Sequence, residues 1–293
     1  MGRRSSAVVA AILTISMLQG SVRSARAGTD ETTWYLALGT SLAVGFQPGR
    51  GETPKGYVDA LHRTYQAAIP ALALRNVGCP GETSRSMITG RGSLCRYAAG
   101  SQLDAAVAFL TAHPGQVAFV TLEVGANDLL GACMRDTWRI DRACAADVMP
   151  RLQTRLTRIV GALRAAGPDA PIVAMNYYDP LLGLWGLVPG GRALAHAAQR
   201  VWTDLNATLA TAYGDAGAAV ADVAATFRID DFTGTIVVPG RGPLPTNVAL
   251  TCMWTWFCTP RFAGDPHTNA IGYRKIAQAF GTELDALLPA TSP

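Results

Sequence analysis

The chain has 293 residues, of which 49 % are apolar and 16 % charged, a balance that suits a globular protein and argues against disorder. Its formal charge of +4 is concentrated at one end: Arg3, Arg4, Arg23 and Arg26 fall in the first 27 residues with no acid among them. The remainder is close to neutral, so the basic balance gives no support to nucleic-acid binding. In chain order, the first feature is an address. Arg3 and Arg4 precede an apolar run over 7–18, and Ala25-Arg26-Ala27 fits a small-x-small cleavage site. This predicts a signal peptide over 1–27, export, and a secreted, extracellular product beginning near Gly28. The apolar run is too short to span a bilayer comfortably and no later stretch is longer, so stable membrane insertion is not expected. Residues 28–293 are expected to form a single domain with a large core.

Five apolar runs predict buried strands, at 34–38, 71–77, 116–124, 171–177 and 217–223. Helical spacing alternates with them. Tyr57, Leu61 and Tyr65 recur every four residues within 56–66, and Ser101 is a candidate cap for a helix over 101–113. Leu152, Leu156, Ile159, Val160 and Leu163 give the clearest apolar face, within 146–167, and further helices are expected at 191–214 and 269–288. Strands alternating with helices imply βαβ units around a mainly parallel sheet. Two longer stretches, 178–190 and 228–268, read as irregular, and loops of that length in an α/β domain are more often functional than not.

Six cysteines, Cys79, Cys95, Cys133, Cys144, Cys252 and Cys258, form three local pairs along the sequence. Export favours disulfides. Sequence alone leaves 15 pairings open, of which closure of the loops 79–95, 133–144 and 252–258 is the simplest. No Cys-x-x-Cys pair occurs and the histidines lie far from the cysteines in sequence, so no metal site is expected.

Open α/β sheets bind ligands beyond the C-terminal ends of their strands, and polar residues collect there. Ser41 follows the first strand, Asn76-Val77-Gly78 the second and Gly125-Ala126-Asn127-Asp128 the third, while Asp265-Pro266-His267 leads into the last helix. A serine nucleophile needs a base for its proton and donors for the oxyanion, and these segments supply both. Taken one at a time they have plainer readings: a cap for Ser41, a positive φ for Gly78, an Asx turn for Asn127.

Together, Gly39-Thr40-Ser41-Leu42, Gly78, Gly125-x-Asn127-Asp128 and Asp265-x-His267 resemble the four blocks of the SGNH/GDSL hydrolase superfamily, in order and over most of the chain. The resemblance implies a three-layer α/β/α sandwich of flavodoxin-like type around a five-stranded sheet, and ester hydrolysis without a cofactor. It implies Ser41 as nucleophile, His267 as general base and then acid, and Asp265 as the group orienting the imidazole. Ser41 and Gly78 would give backbone N–H donors to the oxyanion and Asn127 a side-chain donor. Asp128 is expected to brace the loop. Asp179 and Asp222, both just beyond strands, are alternative orienting groups, and His62, His113 and His196 are expected on helices away from the chemistry. The chain departs from the family pattern at Thr40, where an aspartate is usual, and at Thr268, where a proline is common.

The implied substrate is a small-molecule or lipid carboxylic ester, with a glycan O-acyl ester or simple secreted binding as the alternatives. Leucines and tryptophans at 181–186 and 253–257 have two readings, an acyl groove or loop anchoring. No phosphate-binding loop, no G-x-G-x-x-G after a strand and no G-x-S-x-G elbow occurs. Oligomeric state stays open, with a monomer favoured.

Overall fold

The computed structural model describes residues 1–2, 32–135 and 138–288, and Thr32–Pro293 clusters as one compact unit. The expected signal peptide over 1–27 lies outside the described residues, apart from its first two.

The elements run β1 (Thr33–Leu38), α1 (Tyr57–Gln66), β2 (Leu72–Asn76), α2 (Ser84–Thr89), α3 (Gln102–Ala112), β3 (Val117–Leu122), α4 (Ala126–Cys133) and α5 (Arg142–Ala166). They continue as β4 (Ile172–Met175), a 3-10 segment (Pro180–Gly186), α6 (Gly191–Asp215), β5 (Ala219–Ala221) and α7 (Val223–Thr226). A hairpin of β6 (Thr235–Val238) and β7 (Gly242–Pro245), then α8 (Thr246–Trp254) and α9 (Ala270–Leu287), complete the chain.

Strands β1 to β5 form a parallel sheet in the order β2-β1-β3-β4-β5, with Leu36 opposite Arg75 on one side and Val120 on the other. Each of the five strands expected from apolar runs is present; β1 starts one residue earlier than expected, and the other four are shorter by one or two residues at each end. The runs are apolar because helices cover both faces. Helix α1 packs with α9, where Tyr57 stacks on Phe280 at 4.8 Å, while α5 packs with both α3 and α6. Tyr35, Leu36, Ala37, Leu38, Phe119 and Val120 are wholly buried between these layers.

Helix ends follow local chemistry. Ser101 accepts the Asp104 N–H to start α3, and Asn269 accepts the N–H groups of Ile271 and Gly272 to start α9. Helix α5 begins at Arg142 rather than at 146, because Asp141 caps it through the Cys144 N–H and Pro150 is accommodated inside. The three disulfides are Cys79–Cys95, Cys133–Cys144 and Cys252–Cys258, the local pairing.

The stretch read as irregular at 228–268 contains the β6–β7 hairpin and α8. Helix α8 escapes a periodicity test because it is buried all round from Thr246 to Thr251. The hairpin escapes it because most of its residues are exposed or half-buried.

Candidate active site

The strand order reverses direction between β1 and β3, and that junction is where an open parallel sheet leaves a crevice at its carboxyl edge. Ser41 leaves β1 at this point and Asn127 opens the helix that follows β3, so sheet topology alone sets them side by side. His267 arrives from the far end of the chain. Its Nε2 lies 2.9 Å from Ser41 Oγ, and its Nδ1 lies 2.8 Å from Asp265 Oδ1. The same Asp265 oxygen accepts the backbone N–H of His267 at 3.0 Å, which locks the two residues into one turn. Both side chains are about one-fifth exposed, so the pair reaches solvent without floating in it.

Several contacts fix the imidazole from outside. Phe46 packs its ring 4.4 Å from that of His267, Trp256 donates its backbone N–H to the His267 carbonyl, and Tyr178 donates to the carbonyl of Pro266. Thr268 bridges Thr255 in antiparallel fashion. A small cavity of about 50 Å³ opens beside Ser41, Asn127 and His267, walled by Leu42, Leu130, Tyr178 and Trp202.

Beneath the serine turn sits Glu123, 1 % exposed, at the end of β3. Its carboxylate accepts the Thr40 N–H at 2.8 Å and the Thr40 hydroxyl at 2.9 Å, and Tyr177 donates to its other oxygen. Burial raises this carboxyl to about 7, against the opposing pull of the Tyr177 and Thr40 hydrogen bonds. Thr40 therefore has a defined partner: the hydroxyl ties the turn before Ser41 to the core.

Donors for an oxyanion are unevenly available. The Ser41 backbone N–H has no protein acceptor among the described residues. Asn127 spends one amide proton on the Glu82 carbonyl, at 3.0 Å, and keeps the other. Gly78 differs from expectation: its N–H donates to Asn76 Oδ1 at 2.9 Å, and it packs under Ala43 and Val44. An asparagine two residues upstream has captured its only proton. The Gly81 N–H, next to the Glu82 carbonyl that Asn127 grips, has no acceptor among the described residues, and its φ of +73° suits glycine.

A family model described as GDSL-like Lipase/Acylhydrolase family matches residues 37–275. The chain belongs to this family. Membership makes it a carboxylic ester hydrolase of the GDSL type. Solved structures share the fold at low identity. An extracellular lipase from Streptomyces rimosus is 18 % identical with a TM-score of 0.54, over 86 % of this chain and 99 % of that one. Phospholipase A1 from Streptomyces albidoflavus is 17 % identical with a TM-score of 0.51, over 86 % and 99 %. The lipase/acylhydrolase from Enterococcus faecalis is 16 % identical with a TM-score of 0.53, over 89 % and 100 %. No curated protein matches the chain in sequence.

The other candidates of this GDSL-type hydrolase take structural partners. His62 bonds the Leu72 carbonyl, His113 caps α3 beside Phe109, and His196 packs on Phe232. Asp222 caps α7, and Asp179 accepts the Leu181 N–H from a wholly buried position. Asp128 accepts the Ser84 N–H and hydroxyl at 2.7 and 2.6 Å and stands 3.5 Å from Arg155, bracing the Asn127 turn against α2. Of the two readings of the leucine and tryptophan segments, anchoring describes Leu181, Leu182, Leu184 and Phe257, which are buried together away from the cavity. The apolar wall comes instead from Leu130 and Trp202, whose positions on helices carry no local sign of that role. Glu123 did carry a sign, since it is the one acid in the apolar run 116–124.

Proposed function

We propose that the protein hydrolyses lipid or simple carboxylic esters through an acyl-enzyme formed on Ser41. The observation that carries this reading is the continuous chain Ser41 Oγ, His267, Asp265, with links of 2.9 and 2.8 Å. Ser41 Oγ attacks the carbonyl carbon while its proton passes to His267 Nε2. Asp265, bonded to Nδ1, holds the ring with Nε2 free to accept and stabilises the imidazolium. The Ser41 N–H and the Asn127 amide take the oxyanion. Because Asn76 occupies the proton of Gly78, the second backbone donor in this reading is the Gly81 N–H. His267 then protonates the departing alcohol as the carbonyl–oxygen bond breaks. Water attacks the acyl-enzyme, losing a proton to His267, and Ser41 recovers its own as the acid leaves.

The remaining parts of the proposal concern the chain's setting. Residues 1–27 direct export and 28–293 form the hydrolase domain, acting outside the cell as a monomer. Three disulfides and the likeness in fold to an extracellular lipase support the setting outside the cell. No helix of the described residues is long and apolar enough to cross a membrane.

The test is hydrolysis of p-nitrophenyl esters of short, medium and long acyl chains by the chain from Gly28 onward, beside Ser41→Ala, with a fluorophosphonate probe for labelling. Turnover and labelling should both vanish in the variant. Equal turnover by both folded proteins would refute the mechanism, and inactivity of both on every ester would leave binding as the better account.

A further inference from the structure

The cavity beside Ser41 has one carboxyl group in its wall, that of Glu123, and neither lysine nor arginine. Thr40, whose N–H and hydroxyl Glu123 accepts, is joined by a single peptide bond to Ser41, whose own N–H is an oxyanion donor in the reading above. Gly39 closes on the same carboxyl from the strand side. A Cβ there would fall 3.0 Å from Glu123 Oε2 and 2.7 Å from the Ala43 Cβ, so the turn packs directly on the acid. No ion pair among the described residues involves Glu123. The titratable groups that face it are Tyr57 from α1, Tyr177 and Tyr178 from the segment after β4, Tyr213 from α6 and Tyr273 from α9, all pushed up by burial and therefore neutral. Two further acids, Asp265 and Asp128, act on the same tyrosines, and His267 and Arg155 are paired with those two and not with Glu123.

Resting on the hydrolase reading above, we propose that Glu123 is a positioning residue that serves as a neutral acid: protonated, it anchors the serine turn, and once ionised it sets an unpaired anion beside the developing oxyanion and suppresses hydrolysis. The hydrogen-bond shell suits the neutral form. The Thr40 N–H can only donate, whereas the Thr40 and Tyr177 hydroxyls accept as readily as they donate. The carboxyl O–H therefore has an acceptor while the other oxygen keeps the N–H. Burial raises this carboxyl to about 7, against the lowering pull of the same hydrogen bonds, so the change of state falls near neutral pH. The chemistry makes that state matter. The tetrahedral intermediate places negative charge on the oxygen held by the Ser41 N–H, and fixed dipoles act strongly there because water is excluded. An anion in the same low-dielectric wall opposes that charge. Hydrolysis then needs opposite protonation states at two groups, an unprotonated His267 and a protonated Glu123. The active form is lost as pH rises through the Glu123 value, which gives kcat/KM a falling limb above neutral pH that the triad alone would not produce.

The experiment is the pH profile of kcat/KM on p-nitrophenyl acetate from pH 6 to pH 9, read where the released phenol and phenolate absorb equally, with Ser41→Ala as the blank. Wild type should fall roughly ten-fold above neutrality with the slope of a single proton. Glu123→Gln, whose amide can meet the same partners and cannot ionise, should rise to a plateau and hold it. Thr40→Val keeps the N–H of the turn and removes a hydroxyl that favours the anion, so its falling limb should move to higher pH. A purely structural role would change the height of the profile and leave the limb in place, and that result in the two variants overturns the proposal. So does a wild type that stays level to pH 9. A limb that is not reversed on return to pH 6.5 also overturns it, since unfolding would then be the cause. If Glu123→Gln does not fold, Thr40→Val decides alone, and an unmoved limb overturns the proposal. Absence of Ser41-dependent hydrolysis at every pH would bring down the hydrolase reading, and the role of Glu123 with it.

Discussion

The two halves of the site are held by different physics. Ser41 and Asn127 hang from the ends of β1 and β3, and the serine turn is bonded through Thr40 to a carboxylate inside the core. His267 belongs to no strand. It sits between α8 and α9 in a segment kept in place by the Cys252–Cys258 bond, by the bridge from Thr255 to Thr268 and by backbone bonds from Trp256 and Asn269. The serine half thus inherits the rigidity of a buried sheet, whereas the histidine half must be tied down one contact at a time. Damage to the first half should therefore show in chemistry, and damage to the second in stability and geometry together.

The sharpest way to break that comparison is at its meeting point. Ser41→Ala should lower kcat/KM roughly ten-thousand-fold or more while leaving the unfolding midpoint in place. Asp265→Asn keeps the turn but weakens support for the imidazolium, and a loss of roughly a hundred- to ten-thousand-fold in kcat is expected. Asn127→Ala removes one oxyanion donor and should cost roughly a hundred- to a thousand-fold in kcat with a smaller change in KM. A loss confined to KM would mean that Asn127 only holds the Glu82 carbonyl.

The unequal construction also explains what could be read from sequence. Strands β1, β3 and β4, mostly buried on both faces, are apolar almost throughout, and the half-buried edge strands β2 and β5 keep enough of that character to be legible; the polar residues at their ends follow to the sheet edge by topology alone. Asp265 and His267 were visible as a motif, yet their approach to Ser41 across 226 residues depends on tertiary packing that no local pattern encodes. The engagement of the Gly78 N–H is illegible for a similar reason. Whether an N–H is free depends on where the Asn76 side chain turns, and periodicity contains no such information. Trp202 and Leu130 lie on helices whose buried faces look alike whether they meet a core or a cavity.

The next effect in size concerns Glu123. Its carboxyl is raised from an ordinary 4.5 to about 7, so the folded state holds a proton that the unfolded chain has released across that interval. Stability from this group is therefore present in full below about pH 4.5 and is lost as pH rises through 7, by roughly 3 kcal/mol in all. Glu123→Gln cannot ionise and should escape the loss. Urea midpoints at pH 5 and pH 8 should show wild type losing ground to the variant as pH rises. An equal response of the two proteins would mean that Glu123 is accommodated as an anion without cost, and that the Thr40 turn is stabler than its burial suggests.

The smallest expected effect tests the histidine half directly. Closing the short loop between Cys252 and Cys258 restricts the unfolded chain, and by loop entropy the bond contributes roughly 2 kcal/mol. Cys79–Cys95 closes a longer loop, with a sequence separation of 16 against 6, and on entropy alone its removal should cost slightly more. The two bonds differ in what they touch. Cys252–Cys258 lies in the segment that carries Trp256 and, through its N–H, the backbone of His267, while Cys79 is joined to Gly39 behind the serine, where the sheet already holds the chain. Replacing each pair by alanines should therefore give similar losses of stability and unequal losses of kcat, the larger following Cys252→Ala/Cys258→Ala. Equal losses of kcat, measured well below both unfolding midpoints, would mean that the histidine segment is as firmly seated as the sheet edge and that the contrast between the halves is one of topology only.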